Sequence, residues 1–330
     1  MDEGFALTRF VLRRTFWAFF LFIVATFVTY VIFYVVPANP VSLINGAGGT
    51  TAGQHLRTTL HLDVPVFQQY WIFVWNIVRH GSLGYSFLDG SSVRSVLGRE
   101  APITGSLILG GAVLWLLLAI PIGIISAIRP RSLVDRFGMI FVLIGVSAPA
   151  VWLGLILAYS FGFKLGWTPI ADYCNFFPTH GLTLCSGPAR WAYHLVLPWT
   201  TFALLFAAIY TRMIRASVME TLSEDYVRTA KAKGAGSMRL LVHHVLRNSM
   251  LPVVTLLGLD LVALGITNAV WTETVFNLHG LGSEIGYAAR VGNLPMAVGI
   301  VVVVTIAVIV LNFIVDVLYA FLDPRIRLST

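Results

Sequence analysis

The densest group of ionisable side chains in this 330-residue chain lies in one polar stretch between two apolar ones, residues 211–252. Its acidic residues cluster early and most of its basic residues follow, an order that favours helix because carboxylates stabilise the N-terminal end and cations the C-terminal end. Gly234 and Gly236 predict a turn, and apolar residues that recur from Met238 onward predict a second, amphipathic helix. The Asp, Glu, Lys and Arg residues of this stretch are Arg212, Arg215, Glu220, Glu224, Asp225, Arg228, Lys231, Lys233, Arg239 and Arg247.

These side chains form no catalytic or metal-binding pattern. His243 and His244 are adjacent, so on a helix they point in different directions, and the two cysteines, Cys174 and Cys185, have no metal-ligand spacing. The sequence contains no GxxxxGKS or GxxxxGKT phosphate loop, no GxSxG and no HExxH. We therefore predict no catalytic residue, no metal site and no cofactor in this chain, and no ATP hydrolysis by it.

The composition is that of a membrane protein. Hydrophobic residues make up 57% of the chain and charged residues 11%, whereas about a quarter of residues are charged in soluble domains. Several apolar runs reach the roughly 20 residues that a helix needs to cross a bilayer. The predicted fold class is all-α, a polytopic membrane protein with six transmembrane helices at about 16–36, 104–128, 137–163, 195–212, 251–275 and 294–322.

Within this single predicted domain, 1–330, the sequence indicates further local features. The first apolar run is too long for a signal-peptide core, so we expect it to be retained. An amphipathic helix is predicted from about Val66 to Val78, inside a long polar interval, 37–102. Ser147, Pro149 and Gly154 predict a kink in the third helix.

The basic residues divide unequally between the two sides of the predicted bundle. The N-terminus, the 129–136 loop, residues 211–250 and the C-terminus carry 15 of the 22 Lys and Arg residues, and the other side carries the remaining seven. By the positive-inside rule the first side is cytoplasmic, so both termini are expected there and the loop 164–193 outside. Topology thus accounts for the net charge of +7, and no nucleic-acid partner is expected.

Ionisable and polar side chains inside the predicted spans mark either a path for a substrate or bonds between helices. On the fifth helix Asp260 shares a face with Thr267, Asn268 and Trp271. On the sixth, Asn312 lies one turn before Asp316 and two before Tyr319. Asp260, Thr267, Asn268 and Asn312 are the candidate translocation-path residues, and packing between helices is the alternative for each.

The string EDYVRTAKAKGAGSMRLLVHHVLRNSMLPVVT resembles the cytoplasmic coupling loop of ABC importer permeases. Ala230, Gly234, Leu251 and Pro252 match the general permease signature. Arg228 replaces its glutamate, and the interval from glycine to proline is longer, as is typical of the peptide/nickel subclass. The strings SAPAVWLG and GLG, the segment after the first helix and the ending DPRIR are also similar to this subclass, with His279 where a proline is expected.

This resemblance implies a B-type permease subunit of a dipeptide or oligopeptide importer of type I fold in the cytoplasmic (inner) membrane. The implied partners are a second homologous permease, two ABC ATPase subunits that bind ATP and magnesium, an extracytoplasmic substrate-binding protein, peptide and membrane lipid. A cytoplasmic coupling region, 213–250, would move with the ATPases during alternating access. Its contact residues would be Glu224, Asp225, Tyr226, Arg228, Ala230 and Gly234.

Other functions remain open at this stage. A nickel or glutathione importer permease of the same family shares these motifs. A proton-coupled secondary transporter leaves the coupling region unexplained, and no inverted repeat is visible. An intramembrane enzyme would need Asp260 and Asp316 to act as a carboxylate pair.

The loop 164–193 supports two further hypotheses. Outside the cytoplasm a Cys174–Cys185 disulfide is allowed, and closing the loop would contribute on the order of 3 kcal/mol; two free thiols are the alternative. In relatives an outward loop at this position reaches into the binding protein. Tyr173, Phe176 and Phe177 would make that contact here, and a structural lid is the alternative.

Overall fold

The computed structural model describes residues 2–32, 64–86, 88, 90–177 and 185–322. Eleven helical segments follow one another in this part of the chain. They are α1 (Asp2–Tyr30), α2 (Val66–His80), α3 (Val93–Ile128), α4 (Leu133–Ser147), α5 (Ala150–Leu157, continuing as a π-helix over Ala158–Lys164), α6 (Pro188–Ser223), α7 (Asp225–Ala232), α8 (Ser237–Ser249), α9 (Leu251–Phe276), α10 (Leu281–Val291) and α11 (Leu294–Leu322).

The described part of each of the six predicted spans lies almost entirely in helix, and the third span consists of two helices, α4 and α5. Among the described residues, three helices are long and apolar enough to cross a membrane on their own, in α3, α6 and α11, and two bent pairs raise the number to five if each pair is one span. One of these pairs is α4 with α5, between which the helix axis bends by 109°. This confirms the predicted kink: Pro149, with extended backbone, separates the two helices.

The chain divides into two compact units, Met1–Pro102 with Gly280–Thr330, and Ile103–His279. In the first unit, α2 is fixed to α1 by a buried polar network. Tyr70 and Thr26 share a hydrogen bond of 2.8 Å, and the Tyr30 hydroxyl donates to Gln69 Oε1 at 3.1 Å. The amphipathic helix predicted near residues 66–78 is therefore confirmed, and its polar side chains serve as anchors.

One predicted boundary in this unit is wrong, and one helix was not predicted. The second helix begins at Val93, eleven residues before the predicted 104, and passes through Pro102. The interval between the predicted fifth and sixth spans contains the unpredicted helix α10. The physical reason is burial: Leu281 and Ala288 of α10 pack in one cluster with Val93 and Met296. The rest of the interval 37–102 before residue 64, and the DPRIR ending, lie outside the described residues.

The second unit is built around α6. Phe202, Phe206 and Tyr210 of this helix are buried, and their rings lie 4.5–6.0 Å from the ring of buried Trp115 on α3. Glycines let the neighbouring helices approach: a Cβ added to Gly111 would lie 2.5 Å from Phe202, and one added to Gly145 of α4 would lie 2.7 Å from Ala208. Gly111 and Gly145 thus allow close contacts between helices.

An ion pair joins α4 to α6. Arg215 donates to both carboxylate oxygens of Asp135, at 2.7 and 3.1 Å, and Asp135 also accepts from the backbone N–H of Arg131. Ser132 caps α4 by accepting from the backbone N–H of Asp135. One acidic residue in an otherwise basic loop therefore fixes the start of α4 against α6.

We expect Gly111→Ala to destabilise the second unit. Phe202 cannot move aside because its ring is enclosed by Trp115 and Phe206, and overpacking of this kind costs about 1–3 kcal/mol. The measurement is the thermal midpoint of the purified protein in nanodiscs. Gly105→Ala, on the same helix and with nothing within 4 Å of the added Cβ, is the matched control; equal midpoints for the two variants would contradict the prediction.

Candidate functional site

The polar segment after α6 contains a short helix anchored by a single valine. In α7, Val227 is 3% exposed and belongs to the same buried cluster as Val218 of α6 and Val245 of α8. Leu222 packs against this cluster as well. The helix is therefore held on one side by apolar contacts with its two neighbours, while its other faces stay accessible.

Polar contacts brace the same three helices. Asn248 Nδ2 donates to the Tyr226 hydroxyl at 2.8 Å, and that hydroxyl donates to the carbonyl of His244 at 3.4 Å. The Ser217 hydroxyl of α6 donates to the carbonyl of buried Ser249 at 3.0 Å. The C-terminal half of α8 is thus bonded to α7 through Tyr226 and to α6 through Ser217.

The end of α7 is closed by a Schellman motif. The backbone N–H of Gly234 donates to the carbonyl of Lys231, and that of Ala235 donates to the carbonyl of Ala230. This motif needs a left-handed residue, and Gly234 has φ +83°. The turn predicted at Gly234 and Gly236 is confirmed. The role of Gly234 within this chain is conformational, since no atom lies within 4 Å of an added Cβ.

The accessible face of α7 presents most of the residues that the sequence singled out. Glu224, Asp225, Tyr226 and Arg228 are exposed, and Ala230 is half-buried. Asp225 and Arg228 lie 3.8 Å apart, but a pair so exposed contributes little to stability. This face offers charges of both signs on a rigid helix, which suits contact with another protein.

The fifth predicted span presents a different arrangement around its acidic residue. Asp260 on α9 accepts a hydrogen bond of 2.8 Å from the hydroxyl of Tyr210, which is buried on α6. Thr267 and Trp271 are exposed and Asn268 is half-buried. Asp260 therefore takes part in a helix–helix bond, as the packing alternative requires. Asn312 lies half-buried on α11, and the side chains of Asp316 and Tyr319 lie outside the description.

Sequence reasoning missed a second acidic residue on α9. Glu273 is fully buried and accepts a hydrogen bond of 2.6 Å from the Thr104 hydroxyl of α3. The sequence did contain a signal for it: two acidic residues lie on one apolar helix, and each needs a partner inside the membrane.

The loop before α6 carries the cysteines. Cys174 and Cys185 form a disulfide, with their Cα atoms 5.1 Å apart, so the free-thiol alternative is not what the structure shows. Tyr173 accepts a hydrogen bond from Trp191 Nε1 at 3.0 Å, and Phe176 stacks edge-on against Trp191 at 5.1 Å. Phe177 is 74% exposed. Of the three aromatic candidates, Phe177 is the most exposed, and residues 178–184 lie outside the description.

Family comparison decides the class of this chain. The model for the inner membrane component of binding-protein-dependent transport systems matches residues 119–328, and the model for the N-terminal part of such components matches residues 7–108. The chain belongs to this family. It is a multi-pass membrane component of a transport system with ATPase and substrate-binding components, rather than an enzyme.

Curated relatives match this membrane component over nearly its whole length. A dipeptide transport system permease protein, DppB of Escherichia coli K12, is 32% identical, with 97% of this chain and 98% of the relative covered. A probable D,D-dipeptide transport system permease protein, DdpB of the same strain, is 34% identical over 96% and 97%. A putative peptide transport system permease protein of Brucella abortus (strain 2308) is 31% identical over 97% and 99%.

A solved structure agrees at the level of the fold. A chain of the MetNI methionine ABC transporter in an inward-facing conformation superposes with a TM-score of 0.55 at 16% identity, covering 70% of this chain and 97% of its own. This confirms the all-α membrane fold expected from the sequence.

The hydrogen bond between Tyr210 and Asp260 allows a test of whether Asp260 serves in the translocation path or in packing between helices. We expect Asp260→Asn to retain transport and stability, because an amide oxygen still accepts from the Tyr210 hydroxyl. Asp260→Val should lower the thermal midpoint, since the hydrogen bond that joins α9 to the Tyr210 hydroxyl of α6 is lost at a cost of about 0.5–1.5 kcal/mol. Transport by the assembled system and heat stability of both variants are the measurements. Loss of transport in a stable Asp260→Asn variant would show instead that the charge itself is required.

Proposed function

We propose that this chain is the B-type permease subunit of an ATP-driven importer that carries dipeptides or oligopeptides across the cytoplasmic membrane. The relatives named above as dipeptide and peptide permeases support the substrate class. Nickel and glutathione are the alternative cargoes. Within this proposal the amino and carboxyl termini are cytoplasmic, as the distribution of Lys and Arg indicates.

The proposed assembly contains four further subunits. A second, homologous permease completes the pathway, and two ABC ATPases bind ATP and magnesium on the cytoplasmic side. A substrate-binding protein delivers peptide on the other side. ATP hydrolysis is assigned to these ATPases because this chain lacks a phosphate loop.

The observation that carries the proposal is the rigid mounting of α7. A push on this helix by an ATPase would reach α6 and α8 through Val227 and the cluster around it. The Tyr226–Asn248 bond and the Ser217–Ser249 bond oppose sliding between the three helices. The segment would therefore move as one body and transmit ATPase closure to the transmembrane helices.

Individual residues have distinct tasks in this proposal. Glu224, Asp225 and Arg228 make polar contacts with the ATPase, and Tyr226 adds an aromatic surface while its hydroxyl braces α8. Ala230 allows close approach. Gly234 ends the helix. Thr267, Asn268 and Asn312 stay the candidates for the translocation path, whereas Asp260 contributes mainly through Tyr210.

The deciding experiment compares two glycines that differ in backbone conformation. Gly234 has φ +83° and Gly236 has φ −61°, and an added Cβ meets no atom within 4 Å at either position. Gly234→Ala is strained by about 1–2 kcal/mol because an L-residue is forced into the left-handed region, whereas Gly236→Ala is not. We expect ATPase activity stimulated by the binding protein and dipeptides, measured in nanodiscs, to fall severalfold in Gly234→Ala alone.

Two controls complete this experiment. The purified variants must contain all subunits in the same ratio, so that a loss of stimulation reports coupling rather than assembly. Nickel and glutathione, each offered with the same binding protein, replace dipeptides in parallel. Equal stimulation of the two glycine variants would overturn the coupling role of α7, and stimulation by nickel or glutathione alone would overturn the peptide assignment.

We further propose that Phe177 contacts the substrate-binding protein. It is exposed, and its neighbour Phe176 and the disulfide hold the adjacent backbone in place. A central aromatic contact typically contributes more than 1 kcal/mol to binding. We therefore expect Phe177→Ala to raise the binding-protein concentration for half-maximal ATPase stimulation by at least about fivefold.

Phe163→Ala is the matched control for this prediction. Phe163 is 72% exposed, close to the 74% of Phe177, but lies at the end of the apolar α5 segment rather than in the loop. An unchanged half-maximal concentration in Phe177→Ala, or the same rise in both variants, would favour the structural-lid alternative.

A further inference from the structure

Three side chains that can ligate metal meet between the cysteine loop and the first turns of α6. They are Cys174, Cys185 and His194, and their sulfur and ring nitrogen atoms all lie within 4.8 Å of one another. Cys174 is buried and the other two are half-buried. The proposed transport mechanism makes no use of His194, so its place beside the disulfide is independent of that mechanism.

The hydrogen bonds of His194 determine which ring nitrogen carries the proton. Nδ1 lies 3.1 Å from the backbone carbonyl oxygen of Asp172. Because a carbonyl oxygen only accepts, Nδ1 donates there, and the neutral ring keeps its lone pair on Nε2. Nε2 faces Cys185 Sγ at 3.6 Å. A disulfide sulfur carries no hydrogen, so in the oxidised protein the neutral ring directs a lone pair at an atom that cannot donate to it.

The separation of these two atoms suits a shared metal ion. In a tetrahedral zinc site, bonds of about 2.3 Å to sulfur and about 2.0 Å to nitrogen place the two ligand atoms about 3.5 Å apart. Cys185 Sγ and His194 Nε2 already lie 3.6 Å apart. The carbonyl of Asp172 holds the ring through its other nitrogen, which is how backbone groups orient histidine ligands in metal sites.

We propose that reduction of the Cys174–Cys185 disulfide creates a zinc site formed by both cysteines and His194. Two thiolates neutralise the charge of the ion, which a partly buried site requires. Three protein ligands leave one coordination position for water. The sequence predicted no metal site because the ligand spacing, 174, 185 and 194, matches no recognised pattern. The site does not depend on the peptide-importer proposal.

The chemistry balances with a dithiol as reductant. Thiol–disulfide exchange transfers two electrons and two protons to the cysteine pair while the dithiol becomes a disulfide. Zinc then binds as each cysteine thiol releases its proton. An oxidant that re-forms the Cys174–Cys185 bond removes both sulfur ligands and expels the ion.

The test uses the full-length protein in nanodiscs with cobalt(II) as a spectroscopic probe for zinc. The protein is reduced with a phosphine, freed of reductant without oxygen, and titrated with Co²⁺. We expect one Co²⁺ per chain with a thiolate-to-cobalt charge-transfer band in the reduced protein, none in the oxidised protein, and none in the Cys174→Ser, Cys185→Ser double variant. His194→Ala should weaken binding by at least about tenfold.

His80→Ala is the matched control, since His80 is exposed on α2 and outside the cluster, and its titration should equal that of the wild type. Re-oxidation of the cobalt-loaded wild type should abolish the band, a readout that needs no variant. The proposal is overturned if the reduced wild type shows no thiolate–cobalt band, or if His194→Ala binds Co²⁺ with unchanged affinity.

Discussion

Close contact between helices that carry glycine at their crossing points holds the second unit together. In lipid, apolar surface gains little by leaving one apolar surrounding for another, so helix association depends on van der Waals contact and on hydrogen bonds. Here α6 supplies the surface for both: Phe202 fills the space that Gly111 leaves, and Ala208 fills that of Gly145. A single added methyl group at such a contact has no free volume to enter.

Polar pairs between helices fix the register of this packing. Asp135 with Arg215 and Asp260 with Tyr210 each join α6 to another helix, and Glu273 with Thr104 joins α9 to α3. A helix that slid by one turn would break these hydrogen bonds, each of which contributes about 0.5–1.5 kcal/mol. The glycine contacts determine how near the helices come, and the polar pairs determine where along their length they meet.

Local patterns in the sequence predicted the elements whose causes are local. The apolar period near residues 66–78, the proline before α5 and the glycines after α7 all act within a few residues, and α2, the 109° bend and the Schellman turn follow from them. Other elements depend on contacts between residues distant in the sequence. The start of α3 and the existence of α10 depend on burial of Val93 against Leu281, almost two hundred residues away. The glycines around α10 are typical of a loop, and a local pattern does not show the long-range burial that makes this segment helical. His279 has φ +52°, which a proline could not adopt, so its departure from the family pattern has a backbone cause. Other features also depend on contacts between residues distant in the sequence, so local patterns could not predict them. These are the partners of Asp135, Asp260 and Glu273, and the position of His194 beside the two cysteines.

The length of α6 determines how far α7 lies from the membrane boundary. Its 36 residues make a rod of about 54 Å, against a hydrocarbon layer of about 30 Å. The eleven residues beyond Arg212 form a stem of about 16 Å between the expected membrane boundary and α7. A tilt of about 5° would displace the tip of this stem by about 1.4 Å relative to its base, by plain trigonometry on that length. Adding or deleting one residue there would change the reach of α7 by about 1.5 Å and rotate its accessible face by about 100° around the α6 axis, so the stem length and the direction in which α7 faces are coupled.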